Sequence, residues 1–321
     1  MFKLLILAAL AGAGLLALPA FAAVVTTFSL DTNDPSNDDT FSGPVFTSTL
    51  ELGQPYLITI SGTWSYWGAN GWGTWTGTNA SDVCAGQAEE LPQILSPGVT
   101  NGPVGMDPEY AFAWINGTGT LCPGGSPIGS PPLHLASLQI SLDGGSTWQH
   151  LEPIDKAYNP EHSYQYLVVG LGSPAAIGMR LLDSPTSDNY GVFTATVEAT
   201  DAGAFAVGNG KIVDVSGNEA YLRLVNNNRR GPSRGLLQYE DETGMKIRAD
   251  SFTAVLVLKS TNTAYLTGNA FVNNEPGHSF LLIVQDNGDP GAGNDTFRLD
   301  VDGVTIANGT LTSGNFQIRG R

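Results

Sequence analysis

Glycine and proline punctuate this chain so densely that long regular helices have little room to form. Its 321 residues include 40 Gly and 19 Pro, many of them in Asn-Gly, Asp-Gly and Pro-Gly pairs that favour tight turns. Between these turns the apolar residues alternate or form short buried runs, and helical periodicity is nearly absent beyond residue 22. That pattern belongs to an all-β protein. Candidate strands fall at 55–60, 110–115, 137–142, 166–169, 177–182 and 192–198, then at 220–225, 235–239, 252–258, 264–271, 280–284 and 296–301. Short strands at this spacing suit sandwiches, and the expected architecture is two β-sandwich domains in tandem after a signal peptide.

Residues 1–22 read as that signal peptide. Lys3 supplies the early charge, 4–18 is apolar, and Ala20-Phe21-Ala22 forms a small-residue cleavage site. No other stretch is long and apolar enough to span a bilayer, so the mature chain is expected to be soluble and secreted, periplasmic or on the cell surface. The remainder divides by charge. From Val24 to Thr200 there are seventeen Asp and Glu against Lys156 and Arg180, whereas 201–321 holds thirteen acids and eleven bases. We place the domain boundary near Asp201-Ala202-Gly203, giving a front domain of 23–200 and a smaller tail domain of 201–321. A front so acidic repels a phosphate backbone and argues against nucleic acid as a partner.

Two cysteines occur, Cys84 and Cys122. In an oxidising compartment they are expected to pair, and closing so long a loop contributes about 4 kcal/mol in the chain-entropy model. Both lie in a loop-rich stretch, about 77–133, with the composition of a functional or decorative insertion.

One loop carries metal-ligand chemistry. In Asp183-Ser184-Pro185-Thr186-Ser187-Asp188-Asn189, the side chains of Asp183, Asp188 and Asn189 offer oxygens, and Thr186 and Ser187 can add carbonyls. Calcium takes six to eight such mixed donors from a flexible loop. The same composition also describes a polar turn capped by Asx side chains.

Two blocks resemble the calcium-dependent galactophilic lectins of Gram-negative bacteria, which are small β-sandwiches of galactose-binding-like type. The first runs from Thr47 to Ile60 and on through Gly62-Thr63-Trp64-Ser65-Tyr66-Trp67-Gly68 and Gly71-Trp72-Gly73. The second is Asp188-Asn189-Tyr190-Gly191-Val192-Phe193 before the last front strand, and between them 137–144 is similar to the family's central strand and turn. The resemblance implies a calcium ion held by Asp183, by Asp188 and Asn189 as the amide pair, by the Thr186 loop carbonyl, and by a distant carbonyl from Tyr66 or Trp67. An Asp stands at Asp188 where the family has Asn, and the family's sugar-contacting His and Gln have no counterpart. A carbohydrate or glycoconjugate is the implied partner, without galactose specificity. The tail domain resembles a β-sandwich module at the ends of bacterial exported proteins.

All six tryptophans lie in the front domain. Trp64 and Trp114 sit in strand patterns and are read as core, whereas Trp67, Trp72 and Trp75 stand among glycines, where a ring can face a sugar. Ser141-Leu142-Asp143-Gly144-Gly145-Ser146-Thr147-Trp148 matches the Asp-box of sialidase propellers, a hairpin device and not a catalytic one. In the tail, Asp286 to Gly291 with Asn294-Asp295 is a carboxylate-dense turn, and 226–234 is a basic one. Enzyme signatures such as HExxH and GxSxG are missing, and His134, His150, His162 and His278 stand singly in the sequence. The expected function is calcium-dependent carbohydrate binding. The rivals are a structural or adhesive envelope protein and a hydrolase with unmarked carboxylates.

Overall fold

Alternating burial along two long strands, β3 (Pro55–Ser65) and β13 (Tyr190–Ala199), organises the front of the molecule. The computed structural model describes residues 23–34, 45–66, 72–74, 90–92, 102–115, 121–123, 132–134, 138–172, 176–181, 186–199, 205–214, 216–227, 235–258 and 261–319. Among these there is no α-helix, and the protein is all-β. The other front strands are β1 (Ala23–Asp31), β2 (Val45–Thr49), β4 (Trp72–Thr74), β5 (Glu90–Pro92), β6 (Gly102–Met106), β7 (Tyr110–Ile115), β8 (Leu121–Pro123), β9 (Leu133–His134), β10 (Leu138–Ser141), β11 (Ser163–Val169) and β12 (Ala176–Leu181).

β13 lies between β1 and β3, and the far edge of β3 is shared by two partners in succession. Residues 55–61 pair with β11, after which Trp64 pairs with Met106 of β6. Gly62 sits at this handover with φ 130°, and its amide bonds the His162 carbonyl at 3.1 Å. A side chain there would collide with the Val192 carbonyl, so only glycine lets β3 change partners at this point. β6 continues the sheet through β7 to β8, with β9 on β7, while β10, β12 and β2 form a second sheet. Both sheets contribute to one core, where Leu138 and Ile140 meet Ile58, Ile60, Trp64, Tyr166 and Phe193. Trp64 is fully buried, as its place in a strand pattern implies.

The second half is one antiparallel sheet. It comprises β14 (Phe205–Val213), β15 (Glu219–Asn227), β16 (Gly235–Asp241), β17 (Lys246–Leu258), β18 (Thr263–Val272), β19 (Glu275–Gln285), β20 (Thr296–Val301), β21 (Val304–Thr310) and β22 (Ser313–Arg319). β14 to β21 follow one another as a meander, and β22 returns to pair with β14. Its own core gathers Leu222, Leu224, Tyr239, Val255, Leu266, Phe297 and Phe316.

Twelve strands expected from the sequence all fall on observed strands, two of them with the same bounds, β7 and β20. Ten were not expected: β4, β5, β8 and β9, which are only two or three residues long, and β1, β2, β6, β14, β21 and β22, where Thr, Ser, Asn and Gly interrupt the apolar positions. The loop-rich stretch 77–133 supplies β6 and β7 to the main sheet. Residues 1–22 and the boundary at 201–203 lie outside the described residues, as does Cys84, and with it the expected disulfide to Cys122 of β8. No helix among the described residues is long and apolar enough to cross a membrane.

In β17 the burial alternates at first and then becomes continuous over Ala254–Leu258. The cause is a second buried face: Leu256 and Leu258 pack with Tyr265 against Leu57 of β3, joined by Ile154, Leu167 and Ile283. Arg298 adds a bond from Nη2 to the Ile154 carbonyl at 3.2 Å, and the Tyr265 hydroxyl reaches Gln165 at 3.3 Å. Leu256→Ala is expected to cost about 2–5 kcal/mol by leaving a cavity in this contact, which urea denaturation of the two chains would measure.

Candidate functional site

Two of the expected calcium ligands, Asp188 and Asn189, lie just ahead of β13. A 3-10 turn covers Thr186–Asp188, and Asn189 follows it. Tyr190, the first residue of β13, pairs with Ser65, the last of β3, and Asn189 and Tyr66 each adjoin that pair along the chain. Asp188 is exposed, whereas Asn189 is buried. The Asn189 Nδ2 donates to the Thr32 carbonyl at 3.1 Å, which fixes the amide's orientation, and its Oδ1 is buried without a hydrogen-bond partner. Asn33 clamps the same turn from outside, its Nδ2 donating to the carbonyls of Ser187 and Asn189 at 3.1 and 3.0 Å. Asp183, Trp67 and Trp75 lie outside the described residues, and so do the side chains of Thr186 and Trp72.

A second polar centre went unread in the sequence. The β6–β7 turn, Asp107-Pro108-Glu109, buries both of its carboxylates. Asp107 Oδ1 accepts from the amides of Glu109 and Tyr110 at 2.8 and 2.6 Å, closing the turn. Its Oδ2 accepts from the Tyr164 hydroxyl at 3.0 Å and lies 3.1 Å from His162 Nδ1. Glu109 is met in the same way. Tyr166, two residues along the same face of β11, donates its hydroxyl to Oε1. His134 Nε2 stands 3.0 Å and His150 Nε2 3.3 Å from Oε2.

Local devices set those histidines. His134 ends the short strand β9 and packs its ring against Tyr110, centroids 5.2 Å apart. His150 is placed by the Asp-box hairpin. Asp143 Oδ1 accepts from the Thr147 amide at 2.9 Å and Oδ2 from its hydroxyl at 2.6 Å, while Ser141 Oγ accepts from the Gly145 amide at 2.7 Å. The returning chain bonds Gln149 to Ile140 in both directions, and the next residue's Nδ1 reaches the Leu138 carbonyl at 3.3 Å. The motif is thus a hairpin, as expected, and its product is the placement of His150.

Burial raises the pKa of Glu109, against the bond from Tyr166 and the nearby histidines, which lower it. Tyr166 and Tyr164 are pushed well above their ordinary value by burial first, then by the carboxylates they serve, so both stay protonated donors. Asp143 moves the other way, from 3.8 to about 2, held ionised chiefly by the Thr147 hydroxyl. Three of the four histidines gather around this turn, and His278 pairs instead with Asp302 at 2.7 Å in the second half. Spacing gave no hint of this, because 25 residues separate Glu109 from His134. The one local signal was Asp-Pro-Glu, two acids flanking a proline between apolar strands.

Comparison of the chain with protein-family models, with curated proteins and with solved structures finds no significant match.

Tyr166→Phe would leave Glu109 Oε1 buried without its donor, and a loss of about 1–3 kcal/mol at neutral pH is expected in urea denaturation. Asp143 stabilises the fold above its ordinary pKa, and that contribution fades as pH falls through about 4 toward 2, where the folded state also takes up the proton. Asp143→Ala should therefore melt below wild type at pH 7, and the gap should shrink on acidification to pH 2.

Proposed function

We propose that this chain is an exported binding protein whose front domain, a β-sandwich followed by a smaller β-sandwich tail, holds calcium at the 183–189 loop and uses it to bind a carbohydrate. The carrying observation is Asn189: its amide nitrogen is tied to Thr32, and its buried oxygen has no hydrogen-bond partner. A buried carbonyl oxygen left in this state costs free energy unless a donor or a cation meets it. In this reading the exposed Asp188 next to it in sequence, the Thr186 carbonyl and the Tyr66 carbonyl give the further oxygens that a hard cation requires. Asp183 completes the set in this reading.

The carbohydrate follows from the resemblance to the galactophilic lectins together with the surplus of acids in the front domain, which favours a cation and disfavours polyanions. An ion at a loop of this kind can take two sugar hydroxyls as ligands, with Trp67, Trp72 or Trp75 covering an apolar sugar face. Export is read from residues 1–22.

Thermal unfolding of the mature protein with calcium and with chelator tests the ion. At a hundredfold excess over its Kd, calcium should stabilise by about 2.7 kcal/mol, and Asp188→Ala should abolish that increment. A melting point indifferent to calcium removes the ion and leaves an exported structural protein. A glycan array run with and without calcium then tests the sugar.

A further inference from the structure

We propose that Glu109, His134 and His150 form a second, separate metal site, one that takes a single divalent transition ion of the zinc type. The three donor atoms, Glu109 Oε2 and the two Nε2 nitrogens, all lie within 4.8 Å of one another. A tetrahedral ion with bonds of about 2.0–2.2 Å to imidazole nitrogen and carboxylate oxygen sets its donors roughly 3.3 Å apart. The separations of 3.0 and 3.3 Å from Oε2 match that spacing.

The tautomer of His150 strengthens the assignment. A backbone carbonyl can only accept, so the contact of Nδ1 with the Leu138 oxygen places the hydrogen on Nδ1. In the neutral ring Nε2 is then a bare lone pair. That atom is buried, and although it stands 3.3 Å from Glu109 Oε2, it makes no hydrogen bond. Two lone pairs facing each other in the interior repel, and a cation between them turns the repulsion into coordination.

The surroundings have the form that metal sites take. Ligating histidines usually give their other N–H to a carbonyl or carboxylate, and ligating carboxylates are themselves hydrogen-bonded. His150 meets the first condition through Leu138, and Glu109 meets the second through Tyr166, whose hydroxyl occupies Oε1 and leaves Oε2 for the ion. Asp107 is not a donor, because both its oxygens are engaged in closing the turn and in holding Tyr164 and His162. Two imidazoles and one carboxylate favour zinc or a neighbouring transition ion over calcium or magnesium, which prefer oxygen alone. The side chain of His134 is half-exposed, so an ion can enter from solvent, and water can fill a fourth position.

The site stands independently of the calcium loop, and so does its test. Mature protein freed of metal is titrated with zinc chloride at pH 7.5 by calorimetry, and bound metal is counted after dialysis. One zinc per chain is expected, unaffected by excess calcium. His150→Gln and Glu109→Gln should each weaken binding by more than about 100-fold, and Tyr166→Phe by about 10-fold or more, the range for loss of an outer partner. His278→Ala should bind as wild type does. Unfolded variants are recognised by circular dichroism, and in that case X-ray absorption of zinc-loaded wild type decides, with two imidazole ligands expected. Failure to bind zinc, unchanged affinity in the folded His150 or Glu109 variants, or a spectrum with fewer than two imidazoles would overturn the proposal. In each of those cases the cluster is only a hydrogen-bonded polar core.

Discussion

Two carboxylates carried into the interior on one tight turn have to be answered by donors, and much of the front half of the molecule is arranged to answer them. Burial favours the neutral acid, so each group needs hydroxyls, amides or cations close by. β11 supplies Tyr164 and Tyr166 at alternate positions, one for each acid. β9 brings His134, and the loop before β11 brings His162 at φ 50°, a conformation uncommon for a residue with a side chain, while the Asp-box hairpin sets His150 beside Glu109 without a hydrogen bond between them. A polar network of this kind specifies one register of β11 against β3. Sliding β11 by one residue would turn both tyrosines out of the core and leave both carboxylates unserved.

The same loop that follows His150 joins the two halves of the molecule. Ile154 packs with Leu57, Leu256, Leu258 and Tyr265, while its carbonyl takes the bond from Arg298. Arg298 is itself held by both oxygens of Asp300, at 2.9 Å each. Two residues on, the Lys156 carbonyl accepts from the Tyr110 hydroxyl, and the Tyr110 ring lies against His134. Apolar packing between the halves and polar order around Glu109 are therefore neighbours along one short segment.

Two polar turns beside the last residues of β3 differ in the chemistry they offer. The segment ahead of β13 carries oxygen donors alone, on Asp188 and Asn189. Around the β6–β7 turn, the Glu109 carboxylate meets the imidazole nitrogens of His134 and His150, so nitrogen and oxygen stand together. Donor type, more than total negative charge, separates the two.

How far the sequence could be read follows from the range of the forces involved. Turn pairs and alternation are local, so the all-β class and twelve strands were visible in the order of residues, as was the Asp-box hairpin, whose bonds all fall within a few positions. Asp188 and Asn189 were singled out because adjacent residues share one loop. The pairing of β3 with β13 joins segments more than a hundred residues apart, and no local pattern announced it. Glu109, His134, His150 and Tyr166 could not be assembled at all, since each sits singly in the sequence. Their meeting is decided by how β6, β7, β9 and β11 stack and by the need of a buried acid for partners, which no local pattern encodes. The unbroken apolar run at the end of β17 shows the same division: composition announced a strand, and only the packing of Leu256 and Leu258 against Leu57 explained why both of its faces are apolar.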